Sequence, residues 1–288
     1  GSYHVTFFIE NDSFALQPVV ATGNYCSTLG NRGPGGVGDA SSNTLWLSAA
    51  EINGIPDGVK LSIPWEDISG NAHHATQLSV ASQPVYAAAG INGQPVVRFD
   101  GVSAYLEDIH NYSARTFFSV FEVDPALQDN SQLAQIWGNY ADGLHVAPDP
   151  RTGNSGGYSF DGVTSSGTRA RFAHSSEPYG AFVTNDDYSR WTPGVPVLVA
   201  AEFENTSSLN RQVIGSLHPA FSVGEHQFGG AIGEIIVFNA VLNSTQRIIV
   251  ENYLSSIYVI DISGSGQDYF SYEATHPYDI AGVGRTGI

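Results

Sequence analysis

The sequence predicts an all-β protein, an antiparallel β-sandwich with one short C-terminal helix, on three observations. Its 32 glycines and 14 prolines separate short segments rich in Val, Ile, Phe, Tyr and Thr, which is typical of sandwiches and barrels. Several of these segments alternate apolar and polar residues, as a strand with one buried face does. The 288 residues suit one such domain, because all-β sandwiches commonly run to about 200–250 residues.

Twelve segments are predicted to be strands. Segment 116–123 is apolar on both faces, which favours a central position in a sheet. The complete set is 44–47, 85–86, 96–99, 105–106, 116–123, 135–137, 144–146, 157–160, 169–172, 197–204, 212–214 and 232–238.

One helix is predicted over 245–256, with Ser244 as its N-cap. Its apolar residues fall roughly on one stripe, which predicts packing against the end of the sandwich; they are Ile248, Val250, Leu254 and Ile257.

Two segments rich in Gly and Ser, 34–42 and 263–266, are predicted to be joints between parts of the chain. The chain then divides into an N-terminal flank (1–33), a sandwich domain (34–260) and a C-terminal stretch (261–288). The last part is either an extension or the start of a further domain.

Charge and composition exclude several classes of partner. Eleven basic residues against 28 acidic ones give a net charge of −17, whereas nucleic acids and anionic lipids require clustered Lys and Arg. No apolar run approaches the roughly 20 residues that span a bilayer, so we expect no membrane insertion. The single Cys26 excludes an internal disulfide and a thiolate zinc site. The acidity suits an exported protein, and the carboxylates offer oxygen ligands for Ca²⁺.

Segment 65–77, which reads Trp-Glu-Asp-Ile-Ser-Gly-Asn-Ala-His-His-Ala-Thr-Gln, resembles the signature of bacterial laminin-G-like, concanavalin A-like jelly-roll domains. Blocks similar to other parts of that family follow in the expected order at 45–47, 91–101 and 233–239. The resemblance implies a two-sheet antiparallel jelly roll, whose structural signature here is Trp65, Asp67, Asn71, Asp100 and Glu234. The tail 278–285 also resembles a block that follows such domains in large bacterial surface proteins.

The signature residues are predicted to have structural roles. Asp67 and Asn71 bracket Ser-Gly and are predicted to form a turn. Asp100 precedes Gly101, which indicates a hairpin, and Trp65 is expected to be a core anchor. Glu234 begins an apolar strand, and we expect its carboxylate to bond a backbone group or an Arg.

No catalytic constellation is found, so we expect neither catalytic residues nor an organic cofactor. Glycoside cleavage needs two carboxylates facing one cleft, and the pair Glu202 and Glu204 is interpreted as a solvated strand end. His73 and His74 are adjacent and lack zinc spacing.

Ligand-binding chemistry concentrates in segments 139–161 and 185–191, where carboxylates, amides and aromatic residues lie between predicted strands. Aromatic rings stack on sugar rings while Asp and Arg bond hydroxyl groups. The predicted ligand-binding residues are Tyr140, Asp142, Asp186, Asp187, Tyr188, Arg190 and Trp191. The three aspartates, Asp142, Asp186 and Asp187, are also the predicted Ca²⁺ ligands.

These patterns, together with what the resemblance implies, predict a non-catalytic, lectin-like recognition module of a secreted or cell-surface bacterial protein, part of a larger multidomain chain. Its expected partner is a glycan or another surface ligand, with Ca²⁺ assisting. Two alternatives stay open: a polysaccharide lyase or glycoside hydrolase on the same scaffold, and a structural or protein-interaction module of a large adhesin.

Overall fold

The computed structural model describes residues 33–127, 134–138, 143–147, 157–161, 169–173, 183–184, 189–190, 194–216 and 227–262. Its strands are β1 (Asn43–Ser48), β2 (Val85–Ala87), β3 (Val96–Asp100), β4 (Leu106–Val123), β5 (Ala134–Gly138), β6 (Gly143–Ala147), β7 (Gly157–Asp161), β8 (Arg169–Ala173), β9 (Val183–Thr184), β10 (Ser189–Arg190), β11 (Val197–Ile214) and β12 (Gly229–Phe238). One α-helix, α1 (Ser244–Tyr258), follows β12. Short 3₁₀ helices cover Pro34–Gly36, Ala49–Glu51, Val80–Ser82 and Ile91–Gly93.

The two longest strands, β4 and β11, form the central ribbon. Their antiparallel pairing runs from Val197 opposite Phe121 to Ile214 opposite Leu106. The register shifts between Glu202 and Ser207, where five steps along β11 accompany two along β4. Extra residues of this kind bend a strand and increase its twist. The ribbon therefore has two halves that carry different neighbouring strands.

On one half of the ribbon, β4 pairs with β12, which pairs in turn with β1 and β3, and β2 pairs with β3. On the same half, β8 pairs with β11, and β9 pairs with β8. On the other half, the end of β11 pairs with β5, and the order continues through β6, β7 and β10. Every pairing is antiparallel, which confirms the predicted antiparallel all-β class and is consistent with a sandwich.

Alternate residues of β4 belong to two hydrophobic cores. Phe117 and Phe121 lie in the larger of the two, which we call the inner core, together with the fully buried Trp65 and Trp137. Phe118 lies in the second core, which we call the outer core. The sheet at this strand is thus covered on both faces, as the apolar run 116–123 predicts.

Helix α1 covers the outer core rather than the end of the sandwich. Val250, Leu254 and Tyr258 of the helix share this core with Ile236 and Phe238 of β12. A helix on one face of the sheet buries apolar side chains that would otherwise face water. Within the described ranges, no helix has the length and the apolar character needed to cross a membrane.

The folded unit includes the first predicted joint and extends slightly past residue 260, the predicted end of the sandwich domain. Segment 34–42 is not a free joint, because Pro34 and Val37 are buried and Val37 belongs to the outer core. At the other end, Ile262 is fully buried in the same core, two residues past the predicted boundary. The rest of the N-terminal flank and residues 263–288 lie outside the described residues.

Candidate functional site

Most of the predicted ligand-binding residues lie outside the described part of the chain. These are Tyr140, Asp142, Asp186, Asp187, Tyr188 and Trp191, and they include all three predicted Ca²⁺ ligands. Arg190 is described as part of strand β10. In the ranges that the structure covers, no group of three or more His, Cys, Asp or Glu residues is arranged to hold a metal ion.

The described strands attach both predicted ligand-binding segments to one region of sheet. Residues 139–142 connect β5 to β6, and Gly143 at the start of β6 pairs with Asp161 of β7. Arg190 of β10 pairs with Gly157 at the opposite end of β7. Four residues of a strand span about 13 Å. The two segments thus adjoin a four-stranded region of sheet, β5-β6-β7-β10.

Asp67 organises the loop 65–77, which we call the signature loop. Its Oδ1 accepts from the backbone N–H of Trp46 and of Ser69, both at 2.9 Å. Its Oδ2 accepts from the Ser69 hydroxyl at 2.8 Å and from the His73 N–H at 3.0 Å. These bonds form the turn and also hold it against β1. Both oxygens of the Asp67 carboxylate are therefore engaged in hydrogen bonds with the protein.

The other signature residues also have structural partners. Asn71 donates to the Asn43 carbonyl at 2.9 Å. Asp100 Oδ1 accepts from the N–H groups of Val102, Ser103 and Ala104 at 2.7–2.9 Å, and Gly101 has a φ of +70°. The predicted hairpin at this point is wrong, because β3 pairs with β2 and β12 and not with β4. The turn instead carries the chain from β3 to β4.

Glu234 lies beneath α1 with three side-chain donors. Trp46 Nε1 donates to it at 3.1 Å, the Ser48 hydroxyl at 3.2 Å and the Tyr253 hydroxyl at 3.1 Å. Burial raises the pKa of Glu234 to about 7, although these three bonds oppose the change. The expected backbone or Arg partner is therefore wrong. The donors come from elements that the sequence pattern could not place beside β12.

Glu202 is buried and is not a solvated strand end. It is only 5% exposed, and its carboxylate lies 3.6 Å from the guanidinium of Arg247 on α1. The expectation failed because β11 continues past Glu202 to Ile214. The carboxylate thus faces the helix-covered side of the sheet.

A polar cluster that the sequence analysis missed joins the signature loop to β4. The His73 ring stacks between His110 and Tyr112, with both centroid distances at 5.0 Å. His73 Nδ1 bonds the Thr44 carbonyl at 2.8 Å, and His110 Nδ1 bonds Asp108 Oδ1 at 2.7 Å. Each contact fixes a ring through Nδ1. The signal in the sequence was the alternation Asp108-x-His110-x-Tyr112 on one strand face.

Several buried polar atoms of this cluster, of Trp137 beside it and of Gln212 opposite Asp108 on β11 make no hydrogen bond of good geometry among the described residues. They are Oδ2 of Asp108, the hydroxyl of Tyr112, Nε1 of Trp137 and both amide atoms of Gln212. Burial raises the pKa of Asp108, and burial together with the Asp108 charge raises that of Tyr112 well above its usual value.

His110 is the residue of this cluster that is exposed to solvent. Its side chain is 45% exposed, while that of Asp108 is 1% exposed. An imidazole oriented by a carboxylate is the arrangement of a general base, but the carboxyl and the phenol beside it are enclosed by the inner core. The described cluster is therefore an interior polar network with one exposed ring.

The described residues define a class of protein, an antiparallel β-protein in which helix α1 covers one face of the sheet. Its buried carboxylates with the most hydrogen bonds, Asp67 and Glu234, hold elements of the fold together. No family model matches the sequence, and the comparisons with curated proteins and with solved structures found no match either.

Proposed function

We propose that the chain is a non-catalytic recognition module with a concanavalin A-like jelly-roll topology that binds a glycan. The binding surface lies where segments 139–142 and 185–191 meet the four-stranded region β5-β6-β7-β10. The observation that carries the proposal is the strand register, in which β6, which follows segment 139–142, and β10, at the end of segment 185–191, both pair with β7.

The residue types of the two segments suit a sugar. Tyr140, Tyr188 and Trp191 provide aromatic faces for pyranose rings, and Arg190 donates to hydroxyl groups. Asp142, Asp186 and Asp187 accept from hydroxyls or bind Ca²⁺, which takes six to eight oxygen ligands at 2.3–2.6 Å. A bound ion would then bridge the protein and the glycan.

The roles of the described carboxylates support binding over cleavage. Asp67 accepts four protein hydrogen bonds, Glu234 accepts three, and Glu202 lies beside Arg247. Each is held inside the fold, whereas a glycosidase needs two carboxylates that face a substrate. The acidic surface and the tail resemblance support an exported, cell-surface location in a larger bacterial chain.

A glycan array read with Ca²⁺ and again with EDTA tests the proposal. We expect the wild-type chain to bind a restricted set of glycans, and Trp191→Ala to lose about fivefold or more in affinity, because a stacked aromatic ring contributes about 1 kcal/mol. Tyr105→Ala, which removes a half-buried aromatic residue elsewhere, should bind as the wild type does. Asp186→Asn should weaken binding only when Ca²⁺ is present, while Glu66→Gln should not.

Three outcomes would contradict the proposal. Absence of binding to every glycan, with and without Ca²⁺, would favour a structural or protein-interaction module. Release of new chain ends from a bound polysaccharide would favour a lyase or hydrolase. Equal binding by the wild type, Trp191→Ala and Asp186→Asn would place the glycan on another surface.

A further inference from the structure

The contact between α1 and the sheet encloses the carboxyl group of Glu234. This residue is 1% exposed and lies on β12 among three elements. Tyr253 of α1 and Trp46 and Ser48 of β1 all donate to its carboxylate oxygens. The rings of Trp46 and Tyr253 also meet edge to face, with their centroids 6.1 Å apart. One carboxyl therefore connects the helix, the edge strand β1 and the strand that carries it.

No cation compensates a negative charge at this position among the described residues. The titratable groups that face Glu234 are Tyr253 and Tyr258 on α1 and Glu51 on the 3₁₀ helix after β1. From β4, the Ser119 hydroxyl donates to the Glu234 carbonyl at 2.7 Å. No ion pair of the described residues involves Glu234. An ionised carboxylate here has only neutral donors and an acidic neighbour, and burial of such a charge is costly.

Ser48 connects the buried carboxyl to a small surface cleft. The cleft has a volume of about 90 Å³, and Ser48, Glu51, Trp65 and Glu66 are among the residues that line it. Ser48, whose hydroxyl bonds Glu234, therefore also lines a cleft at the surface.

We propose that Glu234 is a proton-controlled latch for α1, in which the neutral carboxyl keeps the helix docked on the sheet and ionisation weakens the docking. The direction follows from linkage: the docked state holds the proton more tightly than the open, hydrated state. Docking is strongest below about pH 4.5, where both states are protonated, and weakens up to about pH 7. Above that pH both states are ionised, and docking changes no further.

Hydrogen exchange of α1 amides across pH 4.5–8.5, corrected for the intrinsic pH dependence of exchange, measures the opening of the helix. Because the pKa rises from 4.5 to about 7 on burial, we expect the opening constant to increase by up to about 300-fold and then to level off, at tenfold for each pH unit. Amides in the central pairing of β4 and β12 should change much less.

Three variants separate the latch from a general effect of pH. Glu234→Gln should make α1 protection independent of pH in this range. Glu51→Gln removes the negative neighbour that helps to raise the pKa of Glu234, so the pH at which the opening constant levels off should fall. Glu66→Gln, an exposed acid on the same cleft, is the matched control and should leave it unchanged.

The proposal is wrong if Glu234→Gln retains the pH dependence of the wild type, or if all strands lose protection together with α1. Should Glu234→Gln fail to fold, the comparison of Glu51→Gln with Glu66→Gln decides, because both changes are at exposed residues. Identical pH profiles for these two variants and the wild type would then overturn the latch.

Discussion

Two buried glutamines in this protein differ in whether their amides are bonded. Gln135 donates Nε2 to the Gly138 carbonyl at 2.7 Å. Gln212 is equally buried, but neither atom of its amide has a partner among the described residues. A buried polar group without a hydrogen bond costs about 1–3 kcal/mol. The two side chains therefore contribute to stability with opposite signs.

We expect Gln212→Leu to raise the free energy of unfolding by about 1–3 kcal/mol, because it replaces an unpaired amide with an apolar group of similar size. Gln135→Leu is the matched control and should lower it by about 1 kcal/mol, since it removes a bond that is made. Urea denaturation measures both changes. A destabilised Gln212→Leu would contradict the expectation and show that this amide has a partner in solution.

The residue types predicted part of the structural network around the signature loop. Asp67 and Asn71 beside Ser-Gly indicate a turn from local chemistry alone, since their first partners are close in sequence. The stack of His73 on His110 and Tyr112 could not be predicted in this way. Its members meet only because β4 passes beneath the loop, and adjacent His73 and His74 carry no signal of that contact.

At the scale of elements, the predicted N-cap of α1 is wrong, because the cap is Asn243 and Ser244 is the first residue of the helix. Asn243 and Ser244 are both good N-cap residues. The structure uses Asn243, whose side chain accepts from the Gln246 N–H at 3.0 Å while the Gln246 side chain accepts from the Asn243 N–H at 3.1 Å. This capping box needs Glu or Gln three residues after the cap. Ser244 has Arg247 at that position, so the box favours Asn243.

We expect Asn243→Ala to reduce the free energy of unfolding by about 1 kcal/mol, the usual value of an N-cap. Ser244→Ala should change it by a few tenths at most, because Ser244 is an exposed first residue of the helix. Thermal unfolding of both variants against the wild type measures the difference. A larger loss for Ser244→Ala than for Asn243→Ala would contradict the observed cap.

The long strands β4 and β11 were predicted only at their apolar ends. Leu106 of segment 105–106 and all of segment 116–123 belong to one strand, and segments 197–204 and 212–214 belong to another. The centres between them, such as Asp108 to Asn111, are rich in residues with low β-propensity. They are extended because each strand pairs with the other across about a hundred residues of chain. Strands β9 and β10 were missed entirely because two residues carry no periodicity.

At the scale of the whole molecule, α1 is the cover of the outer core. Phe118, Leu198, Ile236 and Phe238 are fully buried, and they share that core with the helix. Fully burying one such side chain stabilises a fold by about 1.5–3 kcal/mol. Removal of the helix would return several of these side chains to water. The helix is therefore part of the folded unit and not an appendage to it.

We expect a chain that ends at residue 242 to bind a hydrophobic dye and to lose its cooperative thermal transition. A chain that ends at residue 262 keeps both α1 and the buried Ile262, so it should unfold cooperatively near the temperature of the longer chain. Dye fluorescence and circular dichroism during heating measure both. A cooperative, dye-free chain ending at residue 242 would show that the outer core is covered by something other than α1.

The sequence alone determined the antiparallel all-β class, the place of the helix along the chain, the turn around Asp67 and the central strand 116–123. All of these depend on spacing and on neighbours within a few residues. The tertiary structure decided which donors surround Glu234, which rings meet His73, and where β4 and β11 continue through polar segments. Those outcomes depend on pairing between distant parts of the chain, because burial and hydrogen bonding then outweigh the local preference of each residue.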